Sequence, residues 1–203
     1  MKAVCLLLAL LPISIQAQGT FIYDQQSSDE SNLGGGVIDI QSTQPMGQSR
    51  TPVLPSMGFL RLYLSDAAFN GVGTTVYINL RSDSITGTIL GSTPPVSLGD
   101  RFNGTVNFFF TNPVAVTPGT TYYFQPVVQS GESFGAYAYN TFNYPGGTEF
   151  AHGVAVPSSD LWFREGTATP EPSGATLCLL GAAILLYFQR SRLQRHGSNP
   201  KSQ

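Results

Sequence analysis

The pair of segments Phe59-Leu60-Arg61-Leu62-Tyr63-Leu64 and Thr75-Val76-Tyr77-Ile78-Asn79-Leu80-Arg81 constrains this chain more than any other feature. Leu60, Leu62 and Leu64 fall on one side by period two, and Val76, Ile78 and Leu80 do the same in the second segment; a helix would scatter them around its axis. Asn70-Gly71, in the loop from Ser65 to Thr74, supplies the positive φ angles that a turn needs. The two segments are therefore expected to lie side by side as an antiparallel pair. Similar short runs follow one another from Phe21-Ile22-Tyr23 onward: Val37 to Ile40, Ile89-Leu90, Val96 to Leu98, Phe134 to Tyr139 and Leu161 to Arg164. Val106-Asn107-Phe108-Phe109-Phe110 puts Val106, Phe108 and Phe110 on a core face with Phe109 opposite. Tyr122, Phe124, Pro126 and Val128 form another inward row, and Tyr144-Pro145-Gly146-Gly147 reads as the turn between the last strands.

Turn signals recur about every ten residues and no amphipathic helix interrupts them, which predicts an all-β fold: an antiparallel β-sandwich of eight to nine strands in two layers. The run Val116-Thr117-Pro118-Gly119-Thr120-Thr121-Tyr122 resembles the tyrosine corner of fibronectin-type and immunoglobulin-like sandwiches, with a jelly roll as the alternative. The resemblance implies that the Tyr122 hydroxyl bonds back to the backbone of the turn.

Charge narrows the partners. Only 11% of the 203 residues are charged, well below the roughly 25% of an average soluble domain. Between residues 18 and 169 eleven acids face five arginines and no lysine. That leaves about six negative charges, the reverse of a nucleic-acid footprint, so DNA and RNA are excluded as partners.

Both ends carry apolar runs. Met1-Lys2, the apolar stretch Ala3 to Leu11, and Pro12 ahead of Ile15-Gln16-Ala17 read as a secretory signal peptide, residues 1–17, cleaved after Ala17. A retained anchor is the alternative. At the other end Thr169-Pro170-Glu171-Pro172-Ser173 precedes an apolar segment, about 174–188, and then Arg190, Arg192 and Arg195. A helix over 173–188 would cover about 24 Å, short of a 30 Å hydrocarbon core but close enough for snorkelling arginines to complete the span. The arginines behind it and Glu171 before it keep the C-terminus cytoplasmic by the positive-inside rule. Cys5 and Cys178 both lie in these runs, so residues 18–168 hold no disulfide or thiol site.

Pro170, Glu171 and Pro172, the apolar helix from Leu177 to Leu186 and the basic end together resemble the PEP-CTERM sorting signal of exported bacterial proteins. The resemblance covers roughly the last thirty-five residues. It implies recognition by an exosortase-type sorting protease in the inner membrane and delivery to the cell surface or an extracellular polysaccharide matrix. The basic residues are interrupted by Ser191 and Leu193-Gln194, and a polar extension follows them. The organisation expected is a signal peptide (1–17), an extracytoplasmic sandwich (18–168) and a sorting signal with a transmembrane helix (169–203).

Chemistry is sparse in the sandwich. No Gly-x-Ser-x-Gly elbow occurs, and His152, between Ala151 and Gly153, is the sole histidine of that part and reads as a turn residue. A small glycoside hydrolase needs only two carboxylates, yet none of the eleven acids falls in a recognisable motif. Calcium is the cofactor to consider, on Asp66, Asp83 or Asp100 in loops, against their reading as solvated or turn-capping acids. Asn103-Gly104-Thr105 fits a glycosylation sequon but reads as a turn. Tyr137, Tyr139, Tyr144 and Trp162 are the rings suited to stacking on a sugar, against their reading as packing residues. The expectation is a non-enzymatic surface protein, with a carbohydrate-binding module as the rival.

Overall fold

Alternation makes the strands, and burial decides which way each one faces. The computed structural model describes residues 20–31, 35–66, 68–142, 144–169 and 181. Among them are fourteen strands: β1 (Thr20–Gln26), β2 (Gly36–Asp39), β3 (Gly47–Arg50), β4 (Ser56–Asp66), β5 (Thr74–Ser82), β6 (Ile89–Ser92) and β7 (Val96–Leu98). They continue as β8 (Asn103–Ala115), β9 (Tyr122–Gly131), β10 (Phe134–Tyr139), β11 (Glu149–Ala151), β12 (Val154–Val156), β13 (Asp160–Leu161) and β14 (Phe163–Thr169). Two seven-stranded antiparallel sheets result, so the described part of the chain is all-β and a β-sandwich. The first runs β1-β14-β4-β10-β13, with β8 on the other side of β4 and β2 on β10; the second runs β12-β11-β3-β9-β5-β6, with β7 beside β5.

Residues 21–168 form one compact unit, and residues 1–20 with 169–203 form another, of which Thr20, Thr169 and Gly181 are described. Among the described residues no helix is long and apolar enough to cross a membrane. The expected signal peptide lies outside the described residues, as does the expected membrane span, Gly181 apart.

The inward faces are those that period two marks. Leu60, Leu62 and Leu64 from the first sheet meet Val76, Ile78, Leu80 and Phe124 from the second in one core, joined by Val106, Phe108 and Phe110. Each such side chain, fully buried, contributes about 2 kcal/mol from the area taken out of water. The pairing differs from expectation. β4 pairs with β8, Leu62 opposite Val106, while β5 pairs with β9, Leu80 opposite Phe124. Asp66 and Thr74, the end of β4 and the start of β5, therefore lie in different sheets. The two leucine-valine faces satisfy each other across the core instead of lying flush in one sheet, which a period-two pattern permits equally well.

Two local features follow from the sequence. The backbone N–H of Thr117 donates to the Tyr122 hydroxyl at 2.9 Å, which fastens the Pro118-Gly119 turn to the start of β9. Pro126 lies in β9, an interior strand, where a missing N–H would normally break a ladder. Its carbonyl accepts from Gln44 Nε2 at 2.8 Å, so on that side the partner is a side chain and the ladder is not interrupted. A further hairpin, β11 to β12, follows the Tyr144-Pro145-Gly146-Gly147 segment, in a stretch for which the sequence pattern predicts no strand. His152 sits exposed at its tip with φ 52°, its N–H donating to Thr43 O at 2.7 Å.

β1 lies beside β14, so the chain enters and leaves the sandwich at neighbouring strands. Gly166 of β14 pairs with Phe59 near the start of β4, which places this exit at the Ser56 end. The Asp66 end lies about 30 Å away along β4.

Candidate functional site

Residues that alternate with the core leucines line the outer face of the first sheet. Phe59, Arg61 and Tyr63 of β4 project there, and β8 sets Phe109 opposite Phe59 and Asn107 opposite Arg61. β14 sets Gly166 opposite Phe59 and Arg164 opposite Arg61. Because Gly166 has no side chain, rings from β1 reach over it: Phe21 meets Phe59 edge-on at 4.8 Å and Tyr23 meets it at 5.7 Å between centroids. Phe109, 45% exposed, ends this aromatic row.

Arg61 and Arg164 are directly opposite each other on adjacent strands, an arrangement that repels unless an anion lies between them. Glu30 supplies it: its Oε1 accepts from Nη1 of both arginines, at 3.2 Å from Arg164. Each guanidinium is held a second time through Nε, by Asn107 Oδ1 at 2.6 Å for Arg61 and by Gln26 Oε1 at 2.9 Å for Arg164. Arg164 lies 3.7 Å over the Tyr23 ring and Arg61 lies 5.0 Å from the Phe21 centroid. The rings keep the guanidiniums largely out of water, whereas the Glu30 side chain is 50% exposed.

The sugar-contact candidates divide. Trp162 is fully buried, its Nε1–H donating to Asp29 O at 3.2 Å, and it packs with Tyr63, Phe142 and Tyr137 under the 27–31 loop. Tyr144 is 5% exposed and stands in the core against Phe163, its hydroxyl accepting from Thr51 N at 2.9 Å. Neither ring is available to a ligand. Packing accounts for both, which corrects their assignment as stacking platforms. Tyr137 is half-buried against Tyr63 at 4.4 Å between centroids, and Tyr139 is 44% exposed. As the alternation of β10 implies, Ala136 and Ala138 face the core instead.

The candidate calcium acids divide as well. Asp66 and Asp100 come together at the Asp66 end of the sandwich with Glu132, carboxylate oxygens within 4.8 Å of one another. Asp83 is exposed on a different turn and bonds to Ser82. Asp66 accepts from Ala68 N at 2.8 Å and Arg101 N at 2.6 Å, bonds that hold its carboxyl below the usual range. Asp100 accepts from Gly71 N, and Glu132 from Asn70 Nδ2. Loss of water pushes the Glu132 carboxyl up, and the charges of Asp66 and Asp100 push it further. Three hard oxygen donors suit a hard cation, and the same bonds brace three loops. Glu132 escapes a sequence reading because nothing local states which strand ends share one end of the sandwich.

A second polar constellation lies between the sheets. All four residues of β3 are buried, and Gln48 and Arg50 point inward. Gln48 Nε2 donates to Asp160 Oδ1 at 2.7 Å, and Arg50 pairs with Glu165, both side chains fully buried. Burial pushes Glu165 up to about 7 against the pull of Arg50. It raises Glu149 and Asp160 as well.

Pro170, Glu171, Pro172, Arg190, Arg192 and Arg195 lie outside the described residues. Fold and surface define a two-sheet sandwich with a guanidinium and aromatic face. No protein-family model matches the chain, and no curated protein matches it.

Proposed function

We propose that this is an exported, non-enzymatic sandwich that works at the cell surface or in extracellular polysaccharide, delivered there by a PEP-CTERM-type signal read by an exosortase-type protease. The carrying observation is the order Pro170-Glu171-Pro172, apolar segment about 174–188, then Arg190, Arg192 and Arg195. With residues 1–17 as a signal peptide, the sandwich is extracytoplasmic and the C-terminus stays cytoplasmic until sorting. Within the sandwich class we favour a jelly roll over an immunoglobulin-like form. Successive long strands β4, β5, β8, β9 and β10 change sheet each time, whereas immunoglobulin strands such as A and B, D and E, or F and G are consecutive within one sheet.

Mass spectrometry of both termini in membrane and extracellular fractions tests the targeting. A released form ending near Pro170 to Ser173 is expected, together with its loss in a Glu171→Ala variant. Chains ending at Gln203 and found only in membranes would make the protein a plain single-span anchored one and end the sorting proposal.

The second reading is a carbohydrate-binding module, ahead of a small glycoside hydrolase. The outer face favours it, because rings, guanidiniums and amides converge there while Asp66, Asp100 and Glu132 are engaged in loop hydrogen bonds.

A further inference from the structure

Two arginines directly opposite each other on neighbouring strands repel, and an anion between them offsets the cost. Arg61 and Arg164 are in that position, and the anion they hold is a half-exposed side chain from a loop. Their surroundings repeat about the carboxylate. Each Nη1 donates to Glu30 Oε1, and each Nε donates to an amide oxygen, from Asn107 on one side and Gln26 on the other. That use of the amide oxygens turns each amide NH2 group away from the guanidinium, and neither donates a hydrogen bond among the described residues. The geometry is thus a carboxylate receptor flanked by two hydrogen-bond donors.

We propose that Arg61 and Arg164 form a binding site for carboxylate-bearing sugars, the uronate units of an acidic polysaccharide, and that Glu30 is a built-in placeholder displaced by the ligand's carboxylate. A uronate carries its carboxylate on a ring with hydroxyls nearby, which matches paired guanidiniums flanked by the Asn107 and Gln26 amides. An acidic peptide offers the carboxylate without those hydroxyls. The Tyr23 ring beneath Arg164 keeps water from one side of the pair, which strengthens its attraction for an anion. Glu30 holds the arginines together while the site is free, so the ligand replaces one carboxylate with another and exposes no unpaired charge. This inference rests on the carbohydrate-binding reading and names its ligand class.

The test is affinity electrophoresis of the purified full-length chain through gels containing polygalacturonate, dextran or polyglutamate. Polygalacturonate is expected to retard the protein and dextran to leave it unaffected. Arg164→Gln is expected to weaken binding about tenfold or more. Glu30→Gln, which keeps an amide oxygen to accept from both arginines, is expected to leave folding intact and to tighten binding about tenfold by removing the competing charge. Equal retardation by dextran would sink the uronate inference while leaving sugar binding standing, and retardation by polyglutamate as strong as by polygalacturonate would replace it with acidic-peptide recognition. If Glu30→Gln binds polygalacturonate no better than the unaltered chain, the placeholder role is wrong. If polygalacturonate retards neither form, the site is not a uronate site. Sorting of the tail is read separately from the termini, so neither result bears on the other.

Discussion

Among the described residues arginine meets glutamate in two places, once inside and once outside. Arg50 meets Glu165 between the sheets with no solvent at either side chain; Arg61 and Arg164 meet Glu30 on the outer face, where the glutamate is half exposed. The chemistry is shared and the surroundings are not. Inside, both charges have lost their water, and the pair recovers that cost only through its own contact, since Arg50 Nε and Nη2 and Glu165 Oε2 find no hydrogen-bond partner among the described residues. Such a contact tolerates no exchange of partner. Outside, the arginines are largely covered but Glu30 is half exposed, and a contact that opens from its carboxylate side is one a ligand can take over. Burial, then, separates a contact that fixes the sandwich from one that can serve as a site.

The largest expected effect strikes the inner pair. Glu165→Ala leaves Arg50 charged and unpaired in the core and is expected to cost about 3–5 kcal/mol in denaturant unfolding. The double change Arg50→Met with Glu165→Leu is expected to restore most of it, since two apolar side chains leave nothing unsatisfied. A double variant as unstable as the single would break the comparison by showing that the charge pair is needed for packing.

The next effect is on pH dependence. Burial holds Glu165, Glu149 and Asp160 above their ordinary range, so the folded state binds more protons than the unfolded chain between the unfolded value, 4.5 for Glu165, and about 7. The resulting stability is fully present below pH 4.5 and is lost as pH rises through about 7. For Glu165 alone the drift amounts to about 3 kcal/mol. Asp66 and Asp39 act in the opposite sense: their carboxyls are lowered, Asp66 chiefly by backbone N–H groups and Asp39 by the Ser133 hydroxyl working against its burial. Their contribution is lost as pH falls through the low carboxylate range. Tm is therefore expected to rise from pH 8 to about pH 5 and to fall in stronger acid, and Glu165→Gln should flatten the first limb. A Tm that stays flat between pH 5 and pH 8 would show that the inner pair remains ionised throughout.

The smallest effect sharpens the contrast from the outer side. Glu30→Gln keeps an oxygen acceptor between the arginines on the half-exposed side of the contact and is expected to change stability by about 1 kcal/mol or less. A loss comparable to that of Glu165→Ala would show that the outer contact is part of the fold.

Much of this architecture is legible in the sequence because it is local. Alternation needs only neighbours two residues apart, so the inward faces of β4, β5, β8 and β9, and the exposed position of Phe109, follow from reading along the chain. Turn chemistry is local too, which is why the Tyr122 hydroxyl and the exposed His152 are where their segments place them. Pairing is not local. The faces of β4 and β5 are equally content side by side or facing across a core, and only the competing partners β8 and β9 decide the matter. Trp162 and Tyr144 look like surface rings in a polar, turn-rich stretch until the 27–31 loop and the core close over them. The union of Arg61, Arg164 and Glu30 joins residues more than thirty and more than a hundred positions apart, as does that of Arg50 with Glu165. The sequence by itself determined an all-β chain with two apolar ends and the direction in which each long strand faces, because these depend on spacing along the chain. Tertiary structure alone decided which charges are buried and which are exchangeable, because a charge's cost is set by the water it loses, and that depends on what folds over it.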